Sequence, residues 1–241
     1  MNTSALQPAS RSPRSDAGGS ARFHSLGVAL RRRACVWRAS RRALETCTGA
    51  QLGLWLSRAA SVPFAIAGLY TARPLAEAID AIASMALSTF SVFAVLPALS
   101  AAGSGHAAAL ERGSGLFVSR GITLSTLRAE RWLGVAAWVV VHLLPLALLV
   151  LTGCALAPGG RRAVQLAALV VGVSVYTLAL GVGLGALAQL CHKLGHARGQ
   201  SLLFGVIIVP ELLSPAWPSL PTFSSIYSEL LDACLELGAR V

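Results

Sequence analysis

Two stretches, Trp132 to Ala157 (WLGVAAWVVVHLLPLALLVLTGCALA) and Ala163 to Cys191 (AVQLAALVVGVSVYTLALGVGLGALAQLC), run for 26 and 29 residues without one Asp, Glu, Lys or Arg. A helix rises about 1.5 Å per residue, so about 20 apolar residues cover the roughly 30 Å hydrocarbon core of a bilayer. Both stretches exceed that length, and no ordinary soluble domain carries two such runs. The whole chain agrees: 55% of its 241 residues are hydrophobic and 12% are charged, against about 25% charged in an average soluble domain. An ordinary soluble enzyme is excluded, and so is global disorder, because apolar residues are plentiful. The fold class expected is all-α, a polytopic integral membrane helical bundle of about five transmembrane helices.

Three further segments complete that number. Ala81 to Ala102 is uncharged, with Glu77 and Asp80 just before it. Residues 202–218 are apolar but short, broken by Pro210, Glu211, Pro215 and Pro218, and predict a kinked or partly re-entrant span. Residues 48–72 carry Arg58 near the middle. A central Arg costs about 2.5 to 3.5 kcal/mol on insertion, against about 0.3 to 0.6 kcal/mol gained per strong apolar residue, so this segment sits close to balance. The expected spans are therefore 48–72, 81–102, 132–157, 163–191 and 202–218, with the third and fourth joined tightly through Pro158 to Arg162. If all five cross, fifteen Lys and Arg fall on the side of the N-terminus and four on the other. The positive-inside rule then puts the N-terminus and the 103–131 loop in the cytoplasm, with a bacterial inner (plasma) membrane as the expected location.

The net charge of +10 is not spread evenly, since nine of the twenty basic residues precede position 43. Residues 1–20 are rich in Ser, Pro, Gly and Ala and predict a disordered tail. Over 21–44, Phe23, Leu26, Leu30, Ala34, Trp37 and Leu44 recur at three- or four-residue steps among arginines. That pattern predicts a basic amphipathic helix suited to an anionic bilayer surface, not to nucleic acid. The same composition is that of an organellar transit peptide. At the other end, in 222–241, Ser224 to Leu237 places Tyr227, Leu230, Leu231 and Cys234 opposite Glu229, Asp232 and Glu236, an amphipathic helix expected on the outer membrane surface.

Motifs for chemistry are missing. Lys193 is the only lysine, so no G-x-x-x-x-G-K-[ST] phosphate loop exists, and H-E-x-x-H, G-x-S-x-G and C-x-x-C do not occur. No catalytic residue, cofactor or metal is predicted. The five cysteines are scattered and odd in number, which implies no disulfide framework. Cys191, His192 and His196 form the best metal constellation, yet a short basic connection accounts for them as well. His142 lies inside the strongest span and Glu211 inside an apolar segment, so both are candidate pathway residues. A neutral imidazole bonded between helices is the favoured reading of His142, and Glu211 equally fits a helix break. Gly181 and Gly185 form a GxxxG for close helix packing, within the chain or between copies.

The loop 103–131 (GSGHAAALERGSGLFVSRGITLSTLRAER) is the remaining informative stretch. Its plain reading is a solvated loop with turn residues. The order of parts, however, resembles the exporter-type permease subunits of ATP-binding-cassette transporters. These have a basic amphipathic helix before the first span, and between the second and third spans a cytoplasmic loop of acid, base, x, Gly, apolar run and a Ser-Arg turn. Here that reads ALERGSGLFVSRGITLSTLRAERWLG, Ala109 to Gly134. The resemblance implies a transport role without catalysis in this chain and a cytoplasmic ATP-binding partner subunit. It implies contact with that partner at Glu111, Arg112, Gly115, Ser119, Arg120 and Gly121, and a homo- or heterodimer with another permease subunit. The family also has a sixth span after an external amphipathic stretch, and this sequence stops before one. A non-transporting scaffold or assembly protein, and a haem- or metal-binding membrane protein using His142, His192 and His196, are the alternative readings.

Overall fold

The computed structural model describes residues 17–70, 82, 84–156 and 163–240. Among them the elements are helices: α1 (Ala17–Glu45), α2 (Thr48–Tyr70), α3 (Ser84–Ala102), α4 (Ser104–Arg112), α5 (Ser114–Val118), α6 (Leu124–Glu130), α7 (Leu133–Leu156), α8 (Ala163–Gly195), a 3₁₀ turn at His196–Arg198, α9 (Gly199–Leu213) and α10 (Phe223–Arg240). By length and composition α2, α3, α7 and Leu169–Gly195 of α8 can each cross a membrane. The fold is the expected all-α polytopic bundle, and these four helices mark an integral membrane protein. Residues 1–16 of the expected tail and the 158–162 connection lie outside the described residues, while Ala17 to Ser20 belong to α1.

The main core is built where these helices meet, around the fully buried Trp138 of α7 and Tyr176 of α8. Backbones approach closely because the crossings are lined by glycine. A Cβ at Gly153 of α7 would lie 2.5 Å from the Ala65 carbonyl oxygen of α2, and one at Gly53 of α2 would lie 2.9 Å from the Phe93 carbonyl oxygen of α3. Arg58 remains within α2, its guanidinium 5.8 Å from the centroid of the Trp55 ring. That cation–π contact offsets part of the insertion cost counted against this segment.

Two elements depart from the sequence expectation. In α1 the fully buried positions are Val36, Ser40 and Leu44, whereas Leu30 is 59% exposed. The inward face keeps the expected Leu44 and part of Trp37 but turns Leu30 outward and brings in Ser40, because α1 lies along α7 and sets Ser40 against Gly134, where a Cβ would stand 2.9 Å from the Ser40 carbonyl carbon. The short apolar segment 202–218 is helical only to Leu213, and α10 does not stand apart from the bundle: it packs along α8 and buries Leu231 and Cys234 in the main core. Gly199, opening α9, sits against Cys191 and His192 at one end of α8. Tyr227 of α10 reaches Ser88, one turn from the Ser91 that bonds Tyr176 far along α8. So α9 and α10 follow α8 in succession, as one path broken at 214–222.

Candidate functional site

The 103–131 loop is not a loop in the structure; it folds into α4, α5 and α6 against the flank of α1. Gly103 starts α4 in extended backbone, and Thr123 caps α6 by accepting the Thr126 N–H on its hydroxyl at 3.2 Å. Between them the chain must stop α5. The Gly121 N–H bonds the Val118 carbonyl and the Ile122 N–H the Phe117 carbonyl, both at 2.9 Å, with Gly121 at φ 71°. This is a Schellman stop, and its left-handed position is what glycine supplies without a Cβ penalty. Ile122 then turns into a small second core with Val36, Leu110 and Leu127.

Polar contacts lock this three-helix unit to the bundle. The buried Ser40 hydroxyl donates to the Arg131 carbonyl at 2.5 Å, and Nε2 of the buried His106 donates to the Ser40 carbonyl at 3.2 Å. Arg131, 5% exposed, donates from Nε to Gln189 of α8 at 2.6 Å, and Gln189 returns an N–H to the Arg128 carbonyl at 3.0 Å. Glu130 accepts from Trp37 at 3.3 Å and pairs with Arg33 at 3.1 Å. Burial pushes the His106 imidazole down to about 4, and it pulls the Arg131 guanidinium down to about 10, so at neutral pH the first is uncharged and the second a cation. One cation, one neutral imidazole and one hydroxyl therefore join α1, α4, the turn between α6 and α7, and α8.

The sequence-derived contact residues fall into separate roles within this frame. Glu111 pairs with Arg128 at 2.9 Å inside the unit, and Gly121 serves the helix stop. Arg112 is exposed, with its Nε on the Ala108 carbonyl at 3.4 Å. Gly115 has open space where a side chain would be, Ser119 is exposed, and Val118 between them is 55% exposed. Arg120, one helical turn from Leu116, faces the other way and lines a groove shared with α1. The unit thus has an outward face at 115, 118 and 119 and an α1-facing side at 116, 117 and 120.

The other candidates lie elsewhere. His142 donates from Nε2 to Glu45 of α1 at 3.0 Å, with the Trp138 ring at 5.1 Å. Glu211 holds the first turn of α10 with both oxygens. Gly181 meets Ala136 of α7, and Gly185 meets Trp132 just before it, in the same chain. His192 donates from Nδ1 to the Ala102 carbonyl at 3.0 Å, and among the described residues no three His, Cys, Asp or Glu side chains gather as a metal would need. Ser40, His106, Arg131 and Gln189 escaped the sequence reading, which looked for chemistry inside the spans and read 103–131 as irregular. No protein-family model, curated protein or solved structure matches this chain.

Proposed function

We propose that this protein is a membrane permease subunit of an ATP-binding-cassette transporter, driven by a separate cytoplasmic ATP-binding subunit that docks on α5. The observation that carries the reading is mechanical. Helix α5 buries none of its five residues and offers Gly115, Val118 and Ser119 outward. The three-helix unit that carries it is tied to α1 and α8 through the hydrogen bonds of His106 in α4 and of Arg131 in the turn between α6 and α7. A force applied at such a tip reaches the spans without being absorbed by a flexible loop, which is what coupling hydrolysis to a rearrangement of helices requires. The positive-inside count supports a cytoplasmic position for this end. The family resemblance further implies pairing with a second permease subunit, and the apolar outer face of α2, with Leu52, Trp55, Val62 and Ile66 exposed, is open to lipid or to that subunit.

The test is ATP hydrolysis by a co-expressed candidate ATP-binding subunit reconstituted with the full chain. Stimulation over the ATPase alone, lost in Val118→Asp but kept in Thr152→Ala on an exposed face of α7, supports the reading. Absence of association and of stimulation with every ATPase of the source cell removes it.

A further inference from the structure

The groove between α1 and α5 carries positive charge that no described residue neutralises. Arg38 and Arg42, four residues apart on one face of α1, and Arg120 at the end of α5 line its rim. All three are exposed and none makes an ion pair among the described residues. The described acids at this end already have other partners: Glu45 has Arg41 and His142, Glu111 has Arg128, and Glu130 has Arg33. Among the described residues the groove therefore has no anion of its own, and its three exposed guanidinium groups are open to one from outside the chain.

Its shape and lining say which kind. The floor is made by the small residues Ala39, Ala43, Ala109 and Gly113, and what they leave open is a cavity of ≈ 610 Å³. Leu116, 71% exposed, and Phe117 form an apolar wall beside the arginines. Thr46, at one end of the groove, is two residues before α2, so the groove opens where the first span begins. Guanidinium groups match phosphate oxygens in pairs, and the adjacent apolar wall suits a ligand that also has hydrocarbon. The backbone of Arg120 is fixed by the Schellman stop at Gly121.

We propose that this groove is a binding site for the headgroup phosphate of an anionic phospholipid, with Arg38, Arg42 and Arg120 as its phosphate ligands. The site is independent of the permease reading, because it uses the α1-facing side of α5 and leaves 115, 118 and 119 free. A lipid seated there joins α1 to α5, so the amphipathic helix does more than float on a charged surface: it selects a headgroup.

Equilibrium binding of chain-labelled phosphatidylglycerol to the full-length protein in uncharged detergent micelles tests this, with phosphatidylcholine and inorganic phosphate as competitors. Saturable binding displaced by unlabelled phosphatidylglycerol alone is expected. Each of Arg38→Gln, Arg42→Gln and Arg120→Gln should weaken it about fivefold and the triple variant about a hundredfold, while Arg112→Gln, outside the groove, leaves it unchanged. Equal displacement by phosphatidylcholine, displacement by inorganic phosphate, or full binding by a triple variant that retains the wild-type circular dichroism spectrum would each overturn the proposal. ATPase stimulation lost in Val118→Asp with lipid binding intact separates this site from the partner surface.

Discussion

Glu211 and Ser224 close the gap between two helices: Oε1 accepts the Ser224 N–H at 2.6 Å and Oε2 the Ser224 hydroxyl at 2.8 Å. The carboxylate belongs to the last turn of α9 and the donors to the first turn of α10, so one side chain caps a helix it is not part of. Negative charge there also meets the positive end of the helix dipole. Glu211→Ala should lower stability by about 1 to 2 kcal/mol and speed amide exchange in the first turn of α10. Glu211→Gln keeps an acceptor and should lose less. Unaltered exchange in Glu211→Ala would show that the carboxylate does not hold the junction.

His106 predicts a pH window. Its folded pKa is held near 4, chiefly by burial, with Arg131 and His192 opposing a further positive charge, and in the unfolded chain an imidazole titrates near 6.5. Between those values the unfolded state binds more protons, so stability is full above the unfolded pKa and falls as the pH drops towards the folded one. The loss between about pH 7 and pH 5 should be about 2 kcal/mol. His106→Gln, which keeps a donor for the Ser40 carbonyl, should flatten that part of the stability curve. A wild-type midpoint indifferent to pH over this range would contradict a buried neutral His106.

Helix α8 offers a controlled comparison among three nearby glycines. A Cβ at Gly181 would lie 2.8 Å from the Ala136 Cα and one at Gly185 2.5 Å from the Trp132 carbonyl oxygen, whereas Gly183 has nothing within 4 Å. Gly181→Ala should therefore push α7 and α8 apart at a cost of about 1 to 3 kcal/mol. Gly183→Ala should be neutral or stabilising by up to about 1 kcal/mol through helix propensity. If Gly181→Ala changed the oligomeric state and left the unfolding midpoint alone, the GxxxG would serve contact between copies instead.

The spans were legible because uncharged length is a one-dimensional property: α3, α7 and α8 can be read from the absence of charge alone. What the sequence hid was pairing between distant residues. The apolar spacing of α1 runs through Leu30, Ala34, Trp37 and the buried Leu44, yet the buried stripe also passes through Ser40, a polar residue chosen by its partners His106 and Arg131 some 66 and 91 positions away. For Glu211 the sequence fits a pathway residue and a helix break equally, and the contact to Ser224 thirteen residues on is not visible in it. Glu111, Arg120 and Gly121 formed one motif in the sequence, but the fold gives them three jobs: an ion pair, a groove lining and a helix stop. Spacing groups residues along the chain, and only the packing of α5 on α1 sorts them by direction.

His142 tests the same point inside a span. An ionisable group there suggests a pathway or a haem ligand, but its Nε2 is spent on Glu45, and Glu45 also holds Arg41 at 3.2 Å. Both side chains keep some exposure, 17% for His142 and 33% for Glu45, so the interaction is partly screened and worth about 1 kcal/mol. A double-mutant cycle of Glu45→Gln and His142→Gln isolates it, because the loss of the Arg41 contact occurs in both mutants lacking Glu45 and cancels. A coupling energy of about 1 kcal/mol in the unfolding equilibrium identifies His142 as the clasp that fixes the end of α1 to α7. Additive mutants, with transport lost in His142→Gln alone, would return His142 to the pathway.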